Sequence, residues 1–174
     1  GSIAEDPIKT VLSMNESSIS EAIYFVEMVD YYSDRAKLQS EVEARIAALK
    51  GKERERALQG YAFALLALGE FKKHLAYFGP LAGRYKDDWR IQFTLAQAHL
   101  RLGHYPEAAR FARRAYDLNG SSLDARWVVL MSQLALHGDK VYERFDAPGL
   151  TLDHVKRWFP QKDPSAFPFE DATE

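Results

Sequence analysis

The chain has 174 residues, of which 47% are hydrophobic, so it is long enough to bury the core of one domain. Its 23 basic and 25 acidic side chains leave a formal charge of −2, which gives no bulk electrostatic reason to expect nucleic acid or an anionic membrane as partner. Cysteine is absent, which excludes disulfides and thiolate chemistry but leaves the compartment open, with the cytoplasm favoured over the periplasm. No apolar run approaches the ~20 residues needed to span a bilayer, so we expect this portion to be soluble.

The chain begins with Gly1 and Ser2 in place of a methionine, which is typical of residues left by tag removal. We therefore expect the natural protein to extend further towards its N-terminus, and we take residues 1–18 as a flexible lead. Residues 19–53 carry two apolar stripes that differ in phase. The stripes are Ile19, Ile23, Val26 and Val29, then Leu38, Val42, Ile46 and Leu49.

This change of phase favours two helices that meet near Ser33-Asp34, although one long helix with a stutter gives the same pattern. The pair serves either as a degenerate repeat or as a cap on the central part of the chain. A cap is needed wherever a stack of repeats would otherwise leave its last apolar face in water.

A repeat occupies the centre of the chain. Leu68-Gly69-Glu70-Phe71 and Leu102-Gly103-His104-Tyr105 are separated by 34 residues, and amphipathic stretches precede and follow each of them. A third copy ends at Gly138, one residue beyond the strict period. The pattern predicts recurring helical hairpins between residues 54 and 145.

The most regular copy explains its own residue choice. Gly103 can adopt the backbone conformation that reverses the chain between two helices. Ala108 and Ala115 lie seven residues apart on one helical face, where small side chains let a partner helix approach closely. In the preceding copy, Gly79-Pro80 predicts that the second helix bends or ends there, because proline lacks the backbone donor.

These residues resemble the tetratricopeptide repeat family, whose 34-residue unit forms two antiparallel helices. The matching positions in the second copy are Leu95, Ala96, Gly103, Tyr105, Ala108 and Ala115, and those in the third are Trp127 and Leu130. The first copy departs from the family pattern at His74 and Leu81, and the third loses it after Gly138. The resemblance implies an all-α fold, a right-handed superhelical stack of antiparallel helix pairs that forms a TPR-like α-solenoid.

The C-terminal part is less regular. Thr151 is suited to cap a short helix over residues 146–160, which carries an apolar patch of Val155, Trp158 and Phe159. Residues 161–174 contain prolines and an acidic end, which predicts an irregular tail.

Catalytic chemistry finds little support. None of the five histidines forms the i, i+4 helical pair of a zinc site, and His99 and His104 flank the helix-ending Gly103, from which we expect them to point apart. We predict no metal and no cofactor. Phosphate-cradling glycine loops, nucleophile elbows and isolated carboxylate pairs are also missing from the sequence, so we predict no catalytic residues and no enzyme. The basic clusters lack the interleaved aromatics of a nucleic-acid site.

The functional prediction concerns a concave groove. The resemblance implies that the first helices of successive repeats line such a groove and contact ligands through one helical stripe. Carried onto this chain, the stripe comprises Arg56, Gln59, Phe63, Leu66, Arg90, Phe93, Gln97, Leu100, Arg101, Val128 and Ser132. An apolar centre beside guanidinium groups suits a peptide or helix with apolar anchors and acidic residues. The alternative for Phe63 and Phe93 is that they belong to the core.

We therefore expect a non-enzymatic scaffold or adaptor for a protein partner, alone or in a larger bacterial-type assembly, with neither nucleic acid nor membrane insertion. The family's carboxylate clamp is not expected, because Gln59, Phe63, Phe93 and Gln97 occupy its positions. One alternative is a small secretion-type chaperone that forms a homodimer through Tyr24, Val26 or Tyr31. Another is an enzyme with a dispersed site. A further hypothesis is that Phe167 and Phe169, beside acidic residues of the tail, occupy the groove of their own chain.

Overall fold

The computed structural model of this chain describes residues 6–15, 19–32 and 34–137. Regular structure in these ranges is helical and includes no strand, which confirms the predicted all-α class. The predicted segments at 146–160 and 161–174 lie outside the described residues. The α-helices are α1 Pro7–Ser13, α2 Ile19–Tyr32, α3 Arg35–Ala48, α4 Gly51–Ala67, α5 Phe71–Phe78, α6 Trp89–Arg101, α7 Tyr105–Leu118 and α8 Leu123–His137.

The helices belong to two compact units, the first ending at His74 and the second beginning at Leu75. The first unit holds α1 to α4 with the start of α5, and the second holds the end of α5 with α6, α7 and α8. Helix α5 ends at Phe78 and is followed by a 3-10 turn over Gly79–Leu81, as Gly79-Pro80 predicts.

Helix α1 lies in the stretch that the sequence presents as a flexible lead. The Asp6 side chain accepts a hydrogen bond from the Lys9 amide at 3.1 Å, and Pro7 occupies the first turn, where its missing donor costs nothing. The helix packs against α4, α3 and α2 and buries Val11. Its length of 7 residues is too short for apolar periodicity to reveal it.

Gly60 determines how closely α1 approaches α4. A Cβ placed on Gly60 would collide with the carbonyl oxygen of Val11 and would lie 3.1 Å from that of Met14. Both obstacles are backbone atoms, which cannot turn aside as a flexible side chain can. The glycine is therefore a packing requirement of the first unit.

The predicted boundary between two N-terminal helices is confirmed. Helix α2 ends at Tyr32, and the Asp34 side chain caps α3 by accepting from the Lys37 amide at 3.0 Å. Beyond this cap the stripe of Leu38, Val42 and Ile46 is buried. The change of phase in the sequence thus marks a real break in the helix.

Arg35 fastens this break to the turn after α4. Its Nη1 donates to the carbonyl oxygen of Leu68 at 2.8 Å, and its Nε donates to the Asp30 carboxylate at 3.0 Å. The hydrogen bond from Arg35 and the attraction of its charge hold the pKa of Asp30 below its ordinary value. One guanidinium therefore links α2, α3 and the end of α4.

Within the second unit, α6, α7 and α8 pack on one another. The Asp88 carboxylate caps α6, accepting from the amides of Arg90 at 3.0 Å and Ile91 at 3.2 Å. Ala108 and Ala115 are completely buried, in agreement with the packing role that their spacing predicts. Small side chains on this face let the neighbouring helices pack closely.

The two glycine turns of the 34-residue repeat share one hydrogen-bond pattern. Gly69 has a φ of +72° and Gly103 a φ of +80°, in the left-handed region that favours glycine. The next amide then donates back five residues, from Glu70 to the carbonyl oxygen of Leu65 and from His104 to that of His99, each at 2.9 Å. This is the bond that defines a Schellman helix end.

We predict that Gly60→Ala lowers the free energy of unfolding by about 1–3 kcal/mol, the usual cost of overpacking a close contact. The direction is informative, since glycine to alanine inside a helix otherwise stabilises by roughly 0.5–1 kcal/mol. Urea unfolding followed by circular dichroism measures the change. Gly83→Ala is the matched control, because a Cβ there meets nothing within 4 Å. Equal stability of the two variants would contradict the close approach of α1.

Candidate functional site

The aromatic residues predicted for the groove are largely closed to solvent. Phe63 is 9% exposed and Phe93 is 6% exposed, which favours the alternative that both belong to the core. Val128 and Ser132 are completely buried, and the Ser132 hydroxyl donates to the carbonyl oxygen of Val128 at 2.6 Å. A ligand would have to displace core packing to reach these four side chains, so they do not provide ready anchors.

The other predicted groove residues keep part of their surface. Arg56 in the first unit and Arg101 in the second are exposed. The guanidinium of Arg90 lies over the Trp89 ring, 4.8 Å from its centroid. The half-buried members of the set are Gln59, Leu66, Arg90, Gln97 and Leu100. The accessible part of the predicted stripe is thus mainly polar and basic.

An open cleft of about 630 Å³ lies in the first unit, where α1, α3 and α4 meet. Three of its seven lining residues are cationic and one is acidic. Ile8 and Leu12 supply an apolar floor, and both are half-buried. The lining consists of Asp6, Ile8, Lys9, Leu12, Ser13, Arg45 and Arg56.

Local structure explains why the positive charge collects here. The spacing of Lys9, Leu12 and Ser13 brings them to one face of α1. Arg45 lies in the last turn of α3, where a cation is favoured by the negative end of the helix dipole. Arg56 comes from α4.

The acidic residue of the cleft does not offset this charge. The Asp6 carboxylate is engaged in capping α1. Within residues 6–15, 19–32 and 34–137, neither Arg45 nor Arg56 has a carboxylate within 4.0 Å, and the Lys9 ammonium has none. The cleft therefore presents three side-chain cations to the solvent.

Such an arrangement can recognise a carboxylate next to an apolar group. Guanidinium groups bind carboxylates through two parallel hydrogen bonds, and these charge-assisted bonds are about twice as strong as neutral ones. Ile8 and Leu12 can bury an aliphatic or aromatic side chain beside them. The volume falls within the usual range of roughly 300–1,000 Å³ for ligand pockets.

Sequence reasoning found Arg56 but missed the rest of the cleft, because it missed α1. The available signal was Asp6-Pro7, which combines a favoured N-cap residue with a favoured first helical residue. Nothing in the local sequence shows that α1 returns to α4. That contact depends on Gly60, 49 residues after Val11 in the chain.

A second cluster lies in the second unit, where α6 ends and α7 begins. Nδ1 of His99 lies 3.1 Å from Nδ1 of His104, with ring centroids 5.3 Å apart. The expectation that Gly103 directs these two side chains apart is therefore wrong. The left-handed turn folds the chain back tightly enough to bring residue 104 beside residue 99, as their backbone hydrogen bond of 2.9 Å shows.

The Phe111 ring orders this cluster from below. The His99 ring stacks on Phe111 with an interplanar angle of 4° and a centroid distance of 5.5 Å. The guanidinium carbons of Arg110 and Arg114 lie 5.3 Å and 5.7 Å from the same centroid. His99 is half-buried, whereas His104 is exposed.

This environment keeps His99 neutral to a lower pH than usual. Burial lowers the pKa of His99 from its ordinary value, and the neighbouring His104 lowers it further. The Glu107 carboxylate acts in the opposite direction, while Arg110 adds to the decrease. The neutral imidazole is the form with a lone pair available for bonding.

Two kinds of feature are absent from the described part of the chain. Its histidines and acidic residues form no group of three or more that could hold a metal ion. Its helices include none with both the length and the apolar character needed to cross a membrane.

No protein-family model, curated protein or solved structure matches this chain. The tetratricopeptide resemblance thus depends on the matching residues of the second and third copies and on the repeated turn geometry.

We predict that stability separates core positions from cleft positions. Phe63→Ala or Phe93→Ala should lower the free energy of unfolding by about 3–5 kcal/mol, because each removes a buried aromatic ring. Arg45→Ala or Arg56→Ala should change it by no more than about 0.5 kcal/mol, as is usual at exposed positions. Thermal and urea unfolding measure all four variants. A loss below about 1 kcal/mol for both phenylalanines would restore them as groove anchors.

Proposed function

We propose that this chain is a non-enzymatic protein-binding module, a scaffold or adaptor that holds a partner segment containing acidic residues and an apolar anchor. The observation that carries the proposal is the cleft formed by α1, α3 and α4. Its three cations, Lys9, Arg45 and Arg56, have no carboxylate partner within the described residues, and they surround the apolar side chains of Ile8 and Leu12.

Electrostatics favours an acidic partner for this cleft. Like charges held close together repel, so an acidic ligand relieves repulsion in addition to forming its own bonds. The cleft is open to water, so each charge pair is worth little by itself, and affinity must come from several pairs together with the buried anchor. We therefore expect micromolar rather than nanomolar binding, with strong dependence on salt.

The mode of binding that we propose follows the tetratricopeptide resemblance. The turns at Gly69 and Gly103 have the same hydrogen bonds at a spacing of 34 residues, which supports the interpretation of α4–α5 and α6–α7 as copies of one unit. Proteins built from such units present helices to extended or helical peptides. The partner is thus proposed to be a peptide or a helix rather than a small molecule.

A peptide selection on the full chain tests this proposal. The probe is a display library of random peptides of about 12 residues, selected in low salt on the immobilised protein. We expect the enriched peptides to combine acidic residues with one large apolar residue. Their binding, measured by fluorescence anisotropy, should weaken at least about tenfold in Arg45→Glu and Arg56→Glu, a change equivalent to about 1.4 kcal/mol.

The control is Arg114→Glu, which makes the same change of charge on an exposed residue of α7. Affinity that falls equally in all three variants would mean that only net charge matters. Enrichment of basic or purely apolar peptides would exclude the proposed partner chemistry.

A second candidate, a chaperone-like homodimer, is favoured by the surface of α2. Ile23 is 56% exposed, Tyr24 is 58% exposed and Tyr31 is 79% exposed. Large apolar side chains on one helix are unusual in this number on a monomer and are enriched at interfaces when aromatic. Pairing of α2 with the same helix of a second chain would cover them.

We predict for this candidate that light scattering detects a dimer at micromolar concentration and that Tyr24→Asp with Tyr31→Asp converts it to a monomer. Tyr105→Asp is the control, since Tyr105 is 39% exposed on α7. A wild-type chain that remains monomeric up to about 100 μM, equivalent to less than roughly 5.5 kcal/mol of association energy, would exclude the dimer.

A further inference from the structure

The His99–His104 pair has no part in the proposed protein-binding cleft, and its geometry is that of a chelating site. Two imidazole nitrogens that bind the same zinc ion each lie about 2.0–2.1 Å from the metal. They are then about 2.9 Å apart at a right angle and about 3.3 Å apart at a tetrahedral angle. The observed separation of the two Nδ1 atoms is 3.1 Å, which falls between these values.

The backbone holds the two histidines in place before any ion arrives. The His104 amide donates to the carbonyl oxygen of His99 at 2.9 Å, and Gly103 maintains the left-handed turn between them. Stacking on Phe111 fixes the plane of the His99 ring. Only the exposed His104 ring has to rotate for both lone pairs to converge on one point, so little conformational freedom is lost on binding.

The surroundings decide which ions the pair accepts. Imidazole nitrogen suits copper, nickel and zinc ions, whereas calcium and magnesium require oxygen ligands. The charges nearby are the carboxylate of Glu107, which favours a cation, and the guanidinium of Arg110, which opposes one. Arg114 lies over the far partner of the stack, Phe111.

We propose that His99 and His104 chelate one divalent transition-metal ion through their Nδ1 atoms, with Cu²⁺ bound more tightly than Zn²⁺ or Ni²⁺. The order follows the general affinity series for these ions at nitrogen sites. The protein supplies two ligands and water supplies the others, because the described residues contain no third histidine or carboxylate grouped with the pair. The ion would link the end of α6 to the start of α7.

Open coordination positions give such an ion a role different from that of a closed structural site. Water molecules on the metal can be exchanged for a side chain of another molecule. The ion also binds only the folded arrangement of the two rings, so it stabilises the α6–α7 turn by mass action. The site would thus couple metal supply to the rigidity of this turn.

The test is calorimetric titration of the full chain with Cu²⁺ and with Zn²⁺ in a buffer that does not bind metals. We expect one ion per chain and at least about tenfold weaker binding in His104→Asn and in His99→Phe, since loss of even an outer-shell partner costs about 10–100-fold. Asparagine is a favoured N-cap at position 104, and phenylalanine preserves the stack on Phe111, so both variants keep the fold.

His154→Asn is the matched control, since His154 lies outside the described residues and away from the pair in sequence. It should leave the affinity unchanged. In the electron paramagnetic resonance spectrum of the Cu²⁺ protein, hyperfine coupling should report two nitrogen ligands in the wild type and one in each single variant. Affinity and coupling that are the same in the wild type and in the double variant would overturn the proposal, as would loss of binding in His154→Asn.

Discussion

The left-handed glycine turn is the constraint on which most of this structure depends. At Gly69 and at Gly103 a positive φ lets the next amide bond back five residues, to a carbonyl that the helix itself leaves unpaired. A side chain at either position would meet no atom within 4 Å, so space is not the reason for glycine. The backbone conformation alone requires it, at a cost of about 1 kcal/mol or more for other residues.

The same turn produces a chemical consequence at one copy only. It places residue i beside residue i+5 at both sites, as Leu65 and Glu70 in the first unit and as His99 and His104 in the second. Two imidazoles in this position can share a ligand, while a leucine and a glutamate cannot. A repeated backbone device can thus carry packing at one place and coordination chemistry at another.

Burial and exposure divide the functional residues by unit. The first unit collects unpaired cations around an apolar floor, because α1 folds back over α3 and α4. The second unit encloses the side chains that the repeat pattern offers for ligand contact, with Phe93, Val128 and Ser132 all inside. A helical stripe that looks equivalent in every copy therefore differs in accessibility from one copy to the next, since neighbouring helices decide what is covered.

Local signals in the sequence were sufficient for most of the helices and their ends. The all-α class, the break between α2 and α3, the end of α5 before Pro80 and the cap by Asp88 all follow from periodicity and from capping chemistry, which act within about one helical turn. Helix α1 escaped because 7 residues are too few for a period.

Only the tertiary structure decided which side chains remain accessible and which meet. Phe63 and Phe93 have the spacing of groove residues, but spacing describes one helix and not the helices that pack on it. The cleft brings Lys9, Arg45 and Arg56 together from three helices, and the pairing of His99 with His104 depends on a turn whose direction their sequence separation does not reveal. Such contacts arise from packing and backbone conformation, which no local pattern records.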